Sequence, residues 1–414
     1  MRFRCLVSLV VLCVPVAAQM SPSIEQLEGE ARRQLAARDA NGALATYEEL
    51  AQLAPKSAAF QDEIGFLLAA TNRTVQAIPH FERATQLDPT MAQAWYHLGA
   101  ARSISGHTAR GIDDLRKAVA LAPDQADYHF RLGSAYNDAG RYREAVPELT
   151  KASTRLPQNA RLWEALGLAL DKQKRFSEAR RAYGRAVELD PNNTSLRSNY
   201  AYTLVNSGDP MGGVAQYRKI LEREPNNVPV QVDVGYAYIG AGNYKEAIKQ
   251  LSEITRKHPE AGDAHYDLGV AYKQSDDLNN AKIQLEQAIK LLPSLAEAHY
   301  VLATTYVDLG DTQKAVEHLR AAVQQRPEYA EAWFELGMIL KDQGDTDGAI
   351  EALRRSVSLD GSDAGAFNTL GLLLRRKGDT EGAKEAFAKA AALRQAEAEQ
   401  KQKKLAQGAA RVQK

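Results

Sequence analysis

Tyr266, Tyr300 and Phe334 stand 34 residues apart, as do Tyr202 and Tyr236, and Tyr96 and Phe130. Carboxylates keep the same interval beside them: Asp233 and Asp267, with Glu335 two intervals on, and Asp263, Glu297 and Glu331. Rings beside acids make no catalytic set, but they can hold a ligand. The rings offer apolar area, the acids attract cations, and a fixed interval repeats both along an extended segment. Lys273 and Lys341 offset the acids only in part. The partner expected for this set is a protein or peptide segment carrying apolar and basic side chains. A polysaccharide or other polymer on the tyrosine stripe is the alternative. A blander account stays open beside both: the aromatics pack between neighbouring repeats and the acids face water.

Other chemistry is missing. His129, His265 and His299 occupy one repeat position, the one held elsewhere by Trp95, Trp163 and Trp333, so they read as core substitutes. The other five histidines follow no pattern. No helix-borne metal pair, phosphate loop, dinucleotide fingerprint or nucleophile elbow occurs. Catalytic, cofactor and metal residues are therefore expected to be none, and the protein is expected not to be an enzyme.

The interval belongs to the whole chain. Nine prolines, from Pro55 through Pro191 to Pro327, fall on it without a slip, and Gly361 takes the next place. With the proline at position 32, units start at residues 24, 58, 92, 126, 160, 194, 228, 262, 296, 330 and 364. Position 8 is Gly or Ala, as in Gly65, Gly269 and Ala303, and position 20 is Ala or Gly. Position 24 is large, as in Phe81, Tyr183 and Phe387. Gly106, Gly208 and Gly344 at position 15 suit the left-handed residue that ends a helix. Asp209, Asp277, Asp311, Asp345 and Asp379 after them suit the cap of the next. Each unit thus reads as helix A, a tight turn and helix B, with the proline in the following loop, where it cannot continue a helix. Pro79 and Pro147 at position 22 are expected near the start of helix B, where N–H groups still lack partners. Small residues at positions 8, 20 and 27 let the paired helices approach, and large ones at 4, 7, 11 and 24 fill the rest.

This arrangement resembles the tetratricopeptide repeat family over residues 24–397, shown well by Trp333, Leu336, Gly337, Ala349 and Leu353. The resemblance implies an all-α fold: a right-handed α-solenoid, or superhelix, of helix-turn-helix units. At about 100° per residue, positions 4, 7, 8 and 11 of helix A face the helix partners, and positions 2, 5, 6, 9, 12 and 13 face away. In the family that second face lines a concave groove. It would here carry Tyr202, Tyr236, Tyr266, Tyr300, Phe334, Asp233, Asp263, Asp267, Glu297, Glu331 and Glu335. The family's grip on a chaperone C-terminal carboxylate needs Lys at position 5 and Asn at position 9, and neither occurs here. The asparagine ladder of its glycosyltransferases is reduced to Asn199. What remains is a non-enzymatic scaffold that organises other proteins.

Lys+Arg and Asp+Glu each number 52, so no basic footprint of a nucleic-acid binder exists. Residues 1–18 begin with Arg2 and Arg4, run through CLVSLVVLCVPVAA and end on small residues, as a cleavable signal peptide does. Cys5 and Cys13 both lie inside that segment, so the mature chain would have no thiol. The expected setting is bacterial export, periplasmic or secreted, with no membrane contact after cleavage. Residues 398–414 read as a polar, basic helical tail.

Overall fold

The computed structural model describes residues 22–412, so the proposed signal segment 1–18 lies outside the described residues. Among the described residues there are twenty-two α-helices and no strand. The chain divides into two compact bodies, Met1–Pro191 and Asn192–Lys414. The first holds five helix pairs: α1 (Ile24–Ala36) with α2 (Ala40–Leu53), α3 (Ala58–Ala70) with α4 (Thr74–Leu87), and α5 (Ala92–Ile104) with α6 (Thr108–Leu121). There follow α7 (Ala126–Asp138) with α8 (Tyr142–Arg155), and α9 (Ala160–Asp171) with α10 (Phe176–Leu189). The second opens with α11 (Thr194–Asn206) and α12 (Pro210–Leu221), α13 (Val228–Gly240) and α14 (Tyr244–Lys257), and α15 (Gly262–Gln274) and α16 (Leu278–Leu291). It continues with α17 (Ala296–Asp308) and α18 (Thr312–Gln325), α19 (Ala330–Asp342) and α20 (Thr346–Leu359), and α21 (Ala364–Arg376) and α22 (Thr380–Val412). No helix is long and apolar enough to cross a membrane among the described residues.

The turn inside every pair is set by one backbone conformation. Position 15 has positive φ in all eleven units, between 57° at Lys174 and 90° at Gly208. Seven units use glycine there, and Arg38, Asn72, Lys174 and Asp276 accept the same strained region, which L side chains enter at a cost. The aspartates that follow cap helix B. Asp209 accepts from the Gly212 N–H at 3.0 Å and Asp345 from the Gly348 N–H at 3.0 Å. Pro79 and Pro147 differ from the expectation. Each is the sixth residue of its helix, one turn beyond the unpaired N–H groups, so each gives up an interior helical hydrogen bond.

Pairing within a unit depends on the absence of a side chain at position 8. A Cβ on Gly269 would lie 2.6 Å from Leu285 Cγ, and one on Gly337 would lie 2.7 Å from Leu353 Cγ. The apolar core runs beneath these contacts, through Leu251, Leu285, Leu319 and Leu353, none of them exposed.

Position 4 secures the proline loop. The indole Nε1 groups of Trp95, Trp163 and Trp333 donate to the carbonyls of Pro89, Pro157 and Pro327 at 2.9, 3.0 and 2.9 Å. His129 and His265 make the same contact through Nε2, at 2.8 and 3.2 Å. Their Nδ1 atoms turn to position 23 of helix B, meeting Glu148 at 2.5 Å and Gln284 at 2.7 Å. Two histidines that looked scattered in the sequence, His80 and His318, occupy position 23 and meet Gln61 and His299 across the same gap. A second latch joins neighbouring units from position 25 to position 11: Glu82 with Arg102, Arg218 with Tyr238, and Glu286 with Tyr306. Successive A helices also touch directly, α3 with α5 and α7 with α9 in the first body, α11 with α13 and α15 with α17 in the second. That side is the inner face of each body.

Candidate binding face of the second body

The inner face of the second body carries all eleven residues singled out above, on α11, α13, α15, α17 and α19. Tyr202 is exposed and stacks on Tyr236, with ring centroids 6.2 Å apart and planes inclined by 15°. The Tyr236 hydroxyl donates to Asn206 Oδ1 at 3.3 Å. Tyr266, Tyr300 and Phe334 are half-buried and packed on the core. They keep part of their surface accessible.

The carboxylates fall into two groups. Asp233, Asp263 and Asp267 lie close enough to repel one another, and among the described residues none has a cation or a hydrogen-bond donor for a partner. Burial first, then Asp263 and Asp233, push the Asp267 carboxyl up to about 8. Burial and then Asp263 push Asp233 up to about 6. In the second group Glu297 is neutralised locally, and a cation stands near Glu335. Arg326 Nη1 meets Glu297 at 2.5 Å while its guanidinium lies 3.6 Å above the Tyr329 ring. Lys273 Nζ pairs with Asp308 at 2.7 Å and helps to hold down the Glu335 carboxyl, which burial and Asp308 raise. Lys341 pairs with Asp342 at 3.0 Å, and Glu331 is exposed. The acidic character therefore concentrates at α13 and α15.

Tyr329 is the ring that the sequence reading passed over. It stands at position 34, the residue before α19, outside the helix positions that define the face. Its ring lies 5.0 Å from Tyr300, and it lies close enough to Tyr266 to raise that hydroxyl, so it bridges the two stripe tyrosines. The signal that could have found it is its Arg326-Pro327 approach, which brings a cation onto the ring.

The first body has a different inner face. Tyr96 stacks on Tyr128 at 4.6 Å and 20°. His97 Nδ1 meets the Asp62 carboxylate at 2.9 Å, with Asp62 only 1% exposed and the Phe66 ring 5.5 Å from the imidazole. Position 5 is thus buried in the second unit. Among the described residues no three His, Cys, Asp or Glu side chains are placed to hold a metal ion.

Family comparison agrees with this architecture. Models described as tetratricopeptide repeat match residues 105–152, 300–366 and 336–400, and residues 238–304. The model described as the cytochrome c-type biogenesis protein H TPR domain matches residues 149–266. No curated protein matches the chain by sequence. Among solved structures, MamA is 26% identical with a TM-score of 0.38, over 40% of this chain and 97% of that one. YrrB, described as a TPR protein with an unusual peptide-binding site, is 18% identical with a TM-score of 0.42, over 44% and 95%. Yeast Tom70 is 15% identical with a TM-score of 0.48, over 94% and 96%. The unbroken 34-residue units, their capped helix pairs and the family models tiling residues 105–400 make one conclusion: the chain is a tetratricopeptide repeat protein, an all-α solenoid built as a protein-interaction scaffold.

Proposed function

We propose that the inner face of the second body binds an extended protein segment in which apolar and basic side chains alternate, and that the scaffold works as an exported protein. One observation carries the ligand class. Asp233, Asp263 and Asp267 face one another without a cation, beside Tyr236 and Tyr266. Like charges gathered without a counter-charge are relieved by a cationic ligand. The rings give the apolar positions of that ligand somewhere to rest. No step of covalent chemistry is needed, so the scaffold acts without catalysis. The export reading rests on Arg2, Arg4 and the apolar run that follows them.

The test is calorimetry with a peptide of alternating Lys and Leu against one of alternating Glu and Leu. Binding of the first and not the second is expected, with loss in the joint variant Asp233→Asn, Asp263→Asn and Asp267→Asn. Equal binding of both peptides, or full retention in that variant, refutes the reading. Tyr266→Ala, Tyr300→Ala and Phe334→Ala together should weaken the same binding while helical content persists. Fractionation of the full chain in its host, with sequencing of the mature N-terminus, tests export. The stacked and exposed Tyr202–Tyr236 pair favours a second ligand class, a polysaccharide lying across the rings. Titration with neutral glycans separates the two, because a neutral sugar gains nothing from the aspartates.

A further inference from the structure

Six of the eleven units carry Trp or His at position 4; the seventh carries Gln231, and a cavity opens beside it. Its Nε2 still donates to the proline-loop carbonyl, here Pro225, at 2.6 Å. Across the gap Gln250 Nε2 donates to the Gln231 carbonyl at 2.7 Å. Position 23 supplies no ring either, unlike the second unit, where His80 faces Gln61. The preceding helix contributes a second gap. The corresponding cleft of the tenth unit is lined by Trp333 and by Val323 and Gln324 from the last turn of α18. Helix α12 ends at Leu221, two residues short of the equivalent point in α18, and none of its residues lines the seventh-unit cavity.

That cavity is about 420 Å³ and lies between α13 and α14. Tyr238 and Ile254 form its apolar wall, with 8% and 4% of their surface exposed. The Tyr238 hydroxyl is engaged by Arg218 at 2.7 Å, which fixes the ring. Glu246 and Lys249 stand at the rim, while Glu253 is paired with Lys257 at 2.7 Å. Both glutamine side-chain nitrogens are committed to backbone carbonyls. The two amide oxygens are therefore acceptors without an assigned donor.

We propose that this cavity receives a planar aromatic ring bearing an N–H donor, of the indole class. The apolar wall takes the ring face, and an amide oxygen of Gln231 or Gln250 takes the donor. It is a site distinct from the inner face, because positions 4 and 11 of α13 line it together with α14, and none of the eleven face residues does. A ring at this position is what the repeat itself uses in six other units as Trp or His.

The probe is free indole, titrated against the full chain by ligand-observed NMR, with N-methylindole as the control that lacks the donor. Saturable indole binding is expected, weakened about tenfold by N-methylation, the usual size of one neutral hydrogen bond. Gln231→Trp fills the cavity from within, so it should abolish indole binding and raise the melting temperature. A tryptophan-bearing peptide that displaces indole would assign the ring to a protein partner. A peptide that does not displace it would assign the ring to a small molecule. Indole that fails to bind at millimolar concentration overturns the proposal, as does equal binding to wild type and to a folded Gln231→Trp. Alternating Lys-Leu peptide should bind Gln231→Trp as it binds wild type, so this site and the inner face fail separately.

Discussion

Asp267→Asn separates two consequences of one buried carboxyl that run in opposite directions with pH. The carboxyl rises from 3.8 to about 8 on folding, chiefly through burial, with Asp263 and Asp233 adding repulsion. The folded chain therefore holds this proton where the unfolded chain has released it. Below pH 4 both states are protonated and the residue costs nothing. Between pH 4 and 8 the unfolded state gains by ionising, and stability falls with rising pH. Four units at about 1.4 kcal/mol each set a ceiling of about 6 kcal/mol. Water reaching the partly open inner face reduces this to about 1–3 kcal/mol. Denaturant melts of the second body should then show Asp267→Asn more stable than wild type at pH 8 and equal to it near pH 4. Ligand affinity moves the other way. At pH 7 roughly nine-tenths of the carboxyl is protonated, so a bound cation must expel that proton. Affinity for the Lys-Leu peptide should rise between pH 6 and 8 by up to about tenfold per unit. Calorimetry in buffers of different ionisation enthalpy reads the released proton directly. Affinity that is flat over this range, with no proton released, would refute the reasoning about the aspartate trio.

Gly269→Leu should cost roughly 1–3 kcal/mol by overpacking, since even a Cβ would lie 2.6 Å from Leu285 Cγ; thermal unfolding unchanged from wild type would count against the packing scheme. The His299–His318 pair should make the ninth unit acid-sensitive. Burial lowers both imidazoles, with His299 adding to the effect on His318. Their stability is thus complete above about pH 6.5 and lost as pH falls through that value. His318→Gln, copying Gln284, should flatten the pH 5–7 stability profile measured by urea melts. Trp333→Phe leaves a smaller aromatic ring in place of the indole and removes the donor to the Pro327 carbonyl, and should lower stability by about 1 kcal/mol or more in the same assay.

The parts of the fold that could be read from the chain are those in which one residue type answers one backbone demand. Glycine at position 15 and aspartate at position 16 are such answers, and the left-handed turns and capped helices follow from them. Even there the demand outlasts the residue, since Lys174 and Asp276 hold the same positive φ without being glycine. The polar latches were harder to read because they obey spacing but not identity. Position 4 meets position 23 as His with Glu, Arg with Gln or His with His, so no single residue type marks the pair. Charge on the inner face was the least legible. Glu297 looks like Asp263 one unit on, but Arg326 from the loop that follows α18 neutralises it, and Lys273 is spent on Asp308 from the next unit. A linear sum of charge treats these acids alike, whereas three-dimensional pairing neutralises Glu297 and leaves Asp233, Asp263 and Asp267 clustered without a cation among the described residues. The repeat makes every unit's backbone alike, and selectivity then rests on which charges and rings the neighbouring loops fail to cancel.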